Sequence, residues 1–330
     1  MPASRLPRLE MLWESRDPGE TLRARFGFDG VGDVVAWLTS TLADSWGIHV
    51  SSCARITMSD SNALAWLATP YGPMVAKWGT APERFPRLAA LAGLTTWLDE
   101  QHLPVSRPVP TADGRVQLQI DGVSLGLQRQ IAGHLLETSS PRQVRAAGVA
   151  LCRLHDALAT YPEVHRFPAP ATAPGSLRAR IEAWLETAPE HLPPRGRHAL
   201  WVLLQDAPYE ARPVQLVHGD FRSANVLCDE HDVVAVIDFE EARFDHRVVE
   251  AARSAVLLGT RFHDWGPVSS EVRSQFLDGY QSVRPFTAAE AAWWPLLVLW
   301  ASLMMVPAGE DRTGWGSAAR DYVDELQLRK

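Results

Sequence analysis

Lysine is nearly missing from this chain of 330 residues: of 32 lysines and arginines, only Lys77 and the C-terminal Lys330 are lysines. Arginine stands almost everywhere else that a cation is wanted. Lys77 therefore marks a position where a compact ammonium on a slender stem suits better than a broad guanidinium fork. Cysteine is scarce as well. Cys53, Cys152 and Cys228 are scattered, with no CxxC pair, which excludes a disulfide framework or a thiolate zinc site and fits a reducing cytoplasm. Positive charge is not in excess. The formal net charge is -7, so no basic footprint points to nucleic acid or to an anionic membrane. Long apolar runs are lacking too: the longest, about Ala291–Val306, falls short of a bilayer span and ends at Pro307, and it reads as a buried helix. The charged opening MPASRLPRLE has no apolar core of the signal-peptide kind. No internal repeat or low-complexity stretch appears.

What remains is an ordinary globular composition, 46% hydrophobic and 22% charged, long enough for one two-lobed unit or two domains. Residues 1–46 read as a helical extension, with Asp33 capping a helix through Val34, Leu38 and Leu42 that ends at Gly47. Short β-like runs follow at Cys53–Met58, Leu64–Thr69 and Met74–Trp78. The polar turn Ser59-Asp60-Ser61-Asn62 separates the first two, and Pro70-Tyr71-Gly72-Pro73 separates the last two. Residues 84–100 carry leucines at helical spacing. Arg115–Ile120 and Val123–Ile131 alternate like strands around Asp121-Gly122. After Gly133 helices dominate, at Pro141–Ala159, about 177–187, 196–206 and from about 247 onward. Short strands interrupt them at Gln215–His218, Val226–Cys228 and Val233–Ile237. The outline is an α+β chain: a small, antiparallel β-rich lobe over 47–131 and a larger, mainly helical lobe over 132–330.

The segment richest in chemistry is His218-Gly219-Asp220-Phe221-Arg222-Ser223-Ala224-Asn225, followed by Val236-Ile237-Asp238-Phe239-Glu240. Apolar strands flank both, so the polar residues fall at strand ends. Phosphoryl transfer to a hydroxyl needs a carboxylate to take the proton and hard oxygen ligands for a Mg²⁺ that bridges the phosphates. Asp220, Asn225 and Asp238 supply that set, and Lys77 lies on an upstream strand.

The pattern HGDFRSANVL…VIDFE resembles the aminoglycoside phosphotransferase superfamily, which includes choline kinases and type II homoserine kinases and shares the protein-kinase fold. The step from Asp220 to Asn225 is that of H-R-D-L-x-x-x-N, and Asp238-Phe239-Glu240 stands where kinases have Asp-Phe-Gly. The resemblance runs from about Cys53 to Pro285 and takes in Met74-Val75-Ala76-Lys77, the hinge strand Gly126–Gly133 and Leu154-His155. It implies that Asp220 is the base, that Asn225 and Asp238 bind Mg²⁺, and that Lys77 contacts the phosphates of ATP or GTP. Ser59, Ser61 and Asn62 would form the loop over the phosphates. Gln128 and Gln130, on the hinge strand, would lie on the nucleotide side, and His218 would hold the loop backbone. The helix over 84–100 departs from the kinase pattern, having no acid in its middle to pair Lys77. Glu83, at its start, is the expected substitute.

No activation segment fits between Asp238 and the helical pattern from Arg247, so the expected acceptor is a small molecule rather than a protein. The carboxylates Glu241, Asp245, Asp264 and Asp278, with Trp265, Trp293, Trp294 and Trp300, suggest an amine-bearing metabolite or antibiotic. The stretch Gly279–Pro285 is similar to type II homoserine kinases, which keeps a homoserine- or choline-type acceptor as an alternative. A nucleotide-binding pseudokinase and a metal-dependent phosphohydrolase built on His218, Asp220 and Asp238 stay open as other classes, as does the oligomeric state.

Overall fold

The computed structural model describes residues 6–60, 62–167, 176–187, 189–208 and 214–328. The chain divides into two compact units, Met1–Ala132 and Gly133–Lys330.

The first unit opens with strand β1 (Arg8–Met11) and helices α1 (Pro18–Phe26) and α2 (Val31–Trp46). Strands β2 (Ser52–Met58), β3 (Ala63–Thr69) and β4 (Gly72–Gly79), helix α3 (Phe85–Glu100), and strands β5 (Leu118–Ile120) and β6 (Val123–Arg129) follow. They form one six-stranded sheet in the order β1-β2-β3-β4-β6-β5. Its pairings are antiparallel except for β1 on β2. Asp33 is not the cap of α2. Gly30 holds that place, and Asp33 at the third helical position accepts the Gly30 amide through Oδ2 at 3.0 Å.

Residues 8–46, read above as an extension, belong to the core of this unit. Leu22, Phe26, Val34, Leu38 and Leu42 are buried in one cluster with Ile56, Ala65, Met74, Ala76 and Trp78. Phe26 and Trp37 both meet Trp78 edge-on. Side chains alternate along a strand. Ala76 and Trp78 enter this cluster, so Lys77 between them projects from the opposite face. The α1–α2 pair thus covers the back of the sheet and leaves the lysine face to other contacts.

The second unit contains β7 (His134–Leu135), α4 (Pro141–Leu158), α5 (Leu177–Glu186), α6 (Pro194–Asp206) and β8 (Gln215–Val217). It continues with β9 (Val226–Cys228), β10 (Val233–Val236), β11 (Arg243–Asp245), α7 (Arg247–Leu257), α8 (Ser270–Val283), α9 (Ala288–Met304) and α10 (Trp315–Leu328). Two small sheets, β10-β9-β7 and β11-β8, carry the chemistry-bearing loops. The apolar run near residue 300 becomes α9, and its Trp293, Leu296, Leu299 and Leu303 are buried against α6, α7 and α10. No helix among the described residues is long and apolar enough to cross a membrane. Helices α4 and α8 pack backbone to backbone: a Cβ on Gly148 would lie 2.1 Å from the Phe276 carbonyl oxygen, and one on Gly279 2.1 Å from that of Arg145. The three cysteines are buried and free. Burial pushes the thiols of Cys53 and Cys228 up to about 11, which leaves them unreactive.

Candidate active site

The loop between β8 and β9 is shaped by one buried carboxylate. Glu250, on the first turns of α7, accepts the main-chain amides of His218 (3.0 Å) and Gly219. Its Oε2 also accepts from Nε2 of His155 at 2.7 Å. The other ring nitrogen of that histidine is 2.7 Å from the Tyr280 hydroxyl. Burial alone would raise this carboxyl, but the hydrogen bond and charge of His155 and the Gly219 amide together hold it below its ordinary value. Gly219 sits at φ +87°, and a Cβ there would lie 2.1 Å from the Glu241 carbonyl oxygen. Only glycine fits this left-handed, closely packed position.

His218 has a main-chain task. Its Nδ1 accepts the Asp220 amide at 3.2 Å, and its Nε2 donates to the Ile237 carbonyl at 3.1 Å. Both ring nitrogens are engaged, so His218 offers no lone pair to a metal. That removes the histidine ligand on which the phosphohydrolase alternative depended.

Asp220 is half-buried, and both its carboxylate oxygens lie 3.0 Å from Nε of Arg222. Nδ2 of Asn225 donates to the main chain and to Oδ2 of Asp220, each at 2.8 Å. The amide nitrogen of Asn225 is therefore spent on Asp220, and Oδ1 is the atom left for a cation. The Asn225 carbonyl accepts the Ile237 amide at 3.0 Å, and Val226 pairs with Val236 in the β9–β10 hairpin. Asn225 and Asp238 consequently leave the same end of one hairpin. Asp238 has φ 63° and ψ 67°, a left-handed conformation costing a non-glycine residue about 1 kcal/mol. An amide oxygen and a carboxylate at a hairpin end are hard oxygen donors, the kind Mg²⁺ takes while keeping several waters. The donor set fits such a cation, although the described residues hold no cluster of three His, Cys, Asp or Glu side chains able to bind a metal by themselves.

In the first unit, Lys77 is half-buried on β4, opposite Gly126 of β6 and Leu64 of β3. Gln128 pairs with Val75, two residues from Lys77 on the same strand, so it stands on the lysine face. Gln130 is exposed, and its amide donates to the Pro73 carbonyl at 3.0 Å. Ser59 and Asn62 are buried and close the β2–β3 turn, where the Asn62 carbonyl accepts the Ser59 amide at 2.9 Å and its hydroxyl at 3.3 Å. Ser61 lies outside the described residues. The N-terminal helix grips this turn through Arg25, which binds Glu14 at 2.7 Å, Asp60 at 3.1 Å and the Ser59 carbonyl at 3.2 Å. Glu83 is exposed on a turn ahead of α3 and makes no ion pair among the described residues. The expected pairing with Lys77 is therefore not formed, because the chain has not yet entered the helix at that point.

Sequence reasoning missed Glu250 and Arg25. Glu250 lies in an apolar-periodic stretch where an acid at a buried helical position was the available signal. Arg25 carried no local signal, since its partners lie 11 to 35 residues away. The expected acceptor face is also revised in part. Trp293 and Trp300 are core residues, and Asp245 is buried in a two-pronged pair with Arg180 at 2.7 and 3.2 Å.

A small lobe built on an antiparallel sheet, a helical lobe and a loop presenting Asp and Asn five residues apart define the kinase-like phosphotransferase class. The sequence model of the phosphotransferase enzyme family matches residues 55–294, and the chain belongs to that family. A homoserine kinase from Methylobacillus flagellatus is 29% identical over 215 residues, covering 61% of this chain and 61% of the relative. The chain thus spans about three fifths of the length of the curated relatives it matches. Among solved structures, a macrolide 2'-phosphotransferase from Brachybacterium faecium superposes with a TM-score of 0.59 at 16% identity, covering 88% of this chain and 97% of the other. An amicoumacin kinase in complex with AMP-PNP and Ca²⁺ gives 0.57 at 13% identity, covering 89% and 93%. At these identities the structures define the shared fold.

Proposed function

We propose that this protein is a small-molecule kinase that transfers the γ-phosphoryl of ATP or GTP to a hydroxyl of a small, amine-bearing metabolite or antibiotic, with Mg²⁺ as cofactor. The observation that carries this reading is the Asp220–Asn225–Asp238 arrangement. One hairpin sends an amide oxygen and a carboxylate from the same end, while the Asn225 amide and a Glu250-anchored loop hold the Asp220 carboxylate.

Asp220 takes the acceptor proton as the new O–P bond forms. The bond from the γ-phosphorus to the β–γ bridging oxygen breaks, and nucleoside diphosphate leaves with that electron pair. Asn225 Oδ1 and the Asp238 carboxylate would hold Mg²⁺, which neutralises charge on the phosphates. Lys77 would contact the same phosphates, Ser59, Ser61 and Asn62 would cover them, and Gln128 and Gln130 would line the nucleotide side. The homoserine kinases among the relatives favour a homoserine-type acceptor as the second reading.

A coupled screen of nucleoside-diphosphate release tests the proposal with aminoglycosides, macrolides, amino sugars, homoserine and choline, each with ATP and GTP. Stimulation by a hydroxyl-bearing acceptor, lost without Mg²⁺, is expected. Nucleotide binding with no stimulation by any member would favour the pseudokinase reading.

Two further expectations arise from the geometry. Lys77→Arg should lower turnover about 10²-fold, close to the loss in Lys77→Ala, because the planar guanidinium cannot occupy a point fitted to an ammonium. A Lys77→Arg enzyme with normal kcat/KM would show that the lone internal lysine is incidental.

Glu250→Gln should lower unfolding free energy at neutral pH by about 3 kcal/mol, since it breaks a buried ion pair and weakens the loop anchor. The folded carboxyl lies below the unfolded value of 4.5. Its stabilisation is therefore complete above about pH 4.5 and lost as the pH falls through the lower folded value. Urea unfolding at neutral and acid pH should show the gap between wild type and Glu250→Gln narrowing on acidification. A gap constant with pH would contradict the assignment.

A further inference from the structure

The turn between β2 and β3 carries a charge that does not suit the role proposed for it. Ser59, Asp60, Ser61 and Asn62 contain no glycine and one acid. The Asp60 side chain is 73% exposed. A carboxylate on a turn that covers a triphosphate repels the phosphates it should accommodate.

The turn closes by itself, since the Ser59 amide and hydroxyl both donate to the Asn62 carbonyl. What reaches it from outside is a brace from the N-terminal segment. Leu12, just past β1, donates its amide to the Met58 carbonyl at 2.8 Å, which brings Glu14 alongside the turn. Arg25, near the end of α1, binds the two Glu14 oxygens through Nη1 and Nη2 at 2.9 and 2.7 Å. The same two nitrogens reach the Ser59 carbonyl at 3.2 Å and Oδ1 of Asp60 at 3.1 Å. The Arg25 carbonyl accepts the Thr80 hydroxyl at 2.9 Å, which ties the end of α1 to the end of β4 as well. Arg16 adds a second cation 3.3 Å from Glu14, so two arginines face two acids and the cluster is balanced. The Arg25 and Glu14 side chains are mostly covered, and a covered pair is screened less than an open one. Glu14 alone would satisfy the Arg25 fork. The added reach to Ser59 and Asp60 places the turn and its charge.

We infer that Arg25 is a positioning residue for the nucleotide: it takes up the Asp60 charge and holds that carboxylate toward α1, so that the turn meets the phosphates without it. This deepens the kinase reading above and rests on it. The N-terminal segment then serves nucleotide binding as well as backing the sheet.

The test titrates ATP and GTP with Mg²⁺, and adenosine and guanosine, into the full chain by calorimetry, with turnover followed by nucleoside-diphosphate release. Arg25→Gln removes the charge and keeps a polar side chain. It should raise the Kd and KM of the preferred triphosphate about tenfold, the size of one hydrogen bond to a charged group. The Kd of the matching nucleoside should not move, and kcat should stay within about twofold. Arg25→Lys keeps the charge but reaches one acid rather than two, and should lose about threefold. In an Asp60→Asn background, Arg25→Gln should cost less than about twofold, because the repelling charge is already gone. Urea unfolding reports that each variant is folded. An unchanged triphosphate Kd in Arg25→Gln, equal losses for triphosphate and nucleoside, or an undiminished loss in the Asp60→Asn background would each overturn the inference while the kinase reading stands. Binding of neither triphosphate by the wild-type chain would instead overturn the kinase reading.

Discussion

Asp220→Asn should leave the protein folded and able to bind nucleotide, yet lower turnover about 10²- to 10⁴-fold, the range for loss of a positioned general base. The substitution keeps the shape of the side chain and removes its charge. Asn225 and Arg222 now donate to a neutral amide, which still accepts hydrogen bonds but cannot take a proton. The loop is held from the other side by Glu250, so its backbone should not move. The effect should fall on kcat, with KM for nucleotide little changed, because the acceptor-proton contact strengthens only as the reaction proceeds. Single-turnover kinetics with saturating acceptor would separate chemistry from product release. Turnover within a few-fold of wild type would dismiss Asp220 as the base.

Asp238→Ala should be comparably severe, at about 10³-fold in kcat/KM, equivalent to several kcal/mol of charge stabilisation. Its signature differs, because it should abolish the Mg²⁺ dependence of nucleotide binding. Asn225→Ala should weaken that dependence less, since an amide oxygen brings a dipole and Asp238 brings a full charge. Alanine also relieves the left-handed backbone at position 238 only by letting the chain relax away from φ 63°. Some local rearrangement of the β10 end is therefore expected. Nucleotide titrations with and without Mg²⁺ against both variants give the comparison. Metal-dependent binding that survives in Asp238→Ala would show that another residue carries the cation.

The sequence and the structure agree best where the signal is local. The strands at Ser52–Met58, Ala63–Thr69 and Gly72–Gly79 and the helices α3, α4, α5 and α6 lie close to their expected spans, because alternation and helical spacing are short-range patterns. Strands β1, β7 and β11, of two to four residues, are too short to show alternation. They exist because a neighbouring strand supplies hydrogen-bond partners. The placement of Asp33 as a cap missed by three positions, since Gly30 adopts the extended cap conformation and uses Asp33 as its acceptor. The lone lysine and the Asp220–Asn225 spacing were readable as chemistry, since residue type and spacing alone express what phosphoryl transfer requires.

By itself the sequence determined the two-lobed α+β outline, the residues of the candidate loop between β8 and β9, and the order in which Lys77, Asp220 and Asp238 occur. Tertiary structure decided what surrounds them. Residues 8–46 back the sheet because the apolar faces of α1 and α2 have nowhere else to be buried. Arg25 reaches the Ser59–Asn62 turn only after that packing is made. Glu250, His155 and Tyr280 meet across 95 and 125 residues. None of these meetings has a short-range pattern: those of residues 8–46 depend on α1 and α2 packing on the six-stranded sheet, and that of Glu250, His155 and Tyr280 on helices α4, α7 and α8 packing together. That packing depends on the shape of the core, which no window of sequence contains.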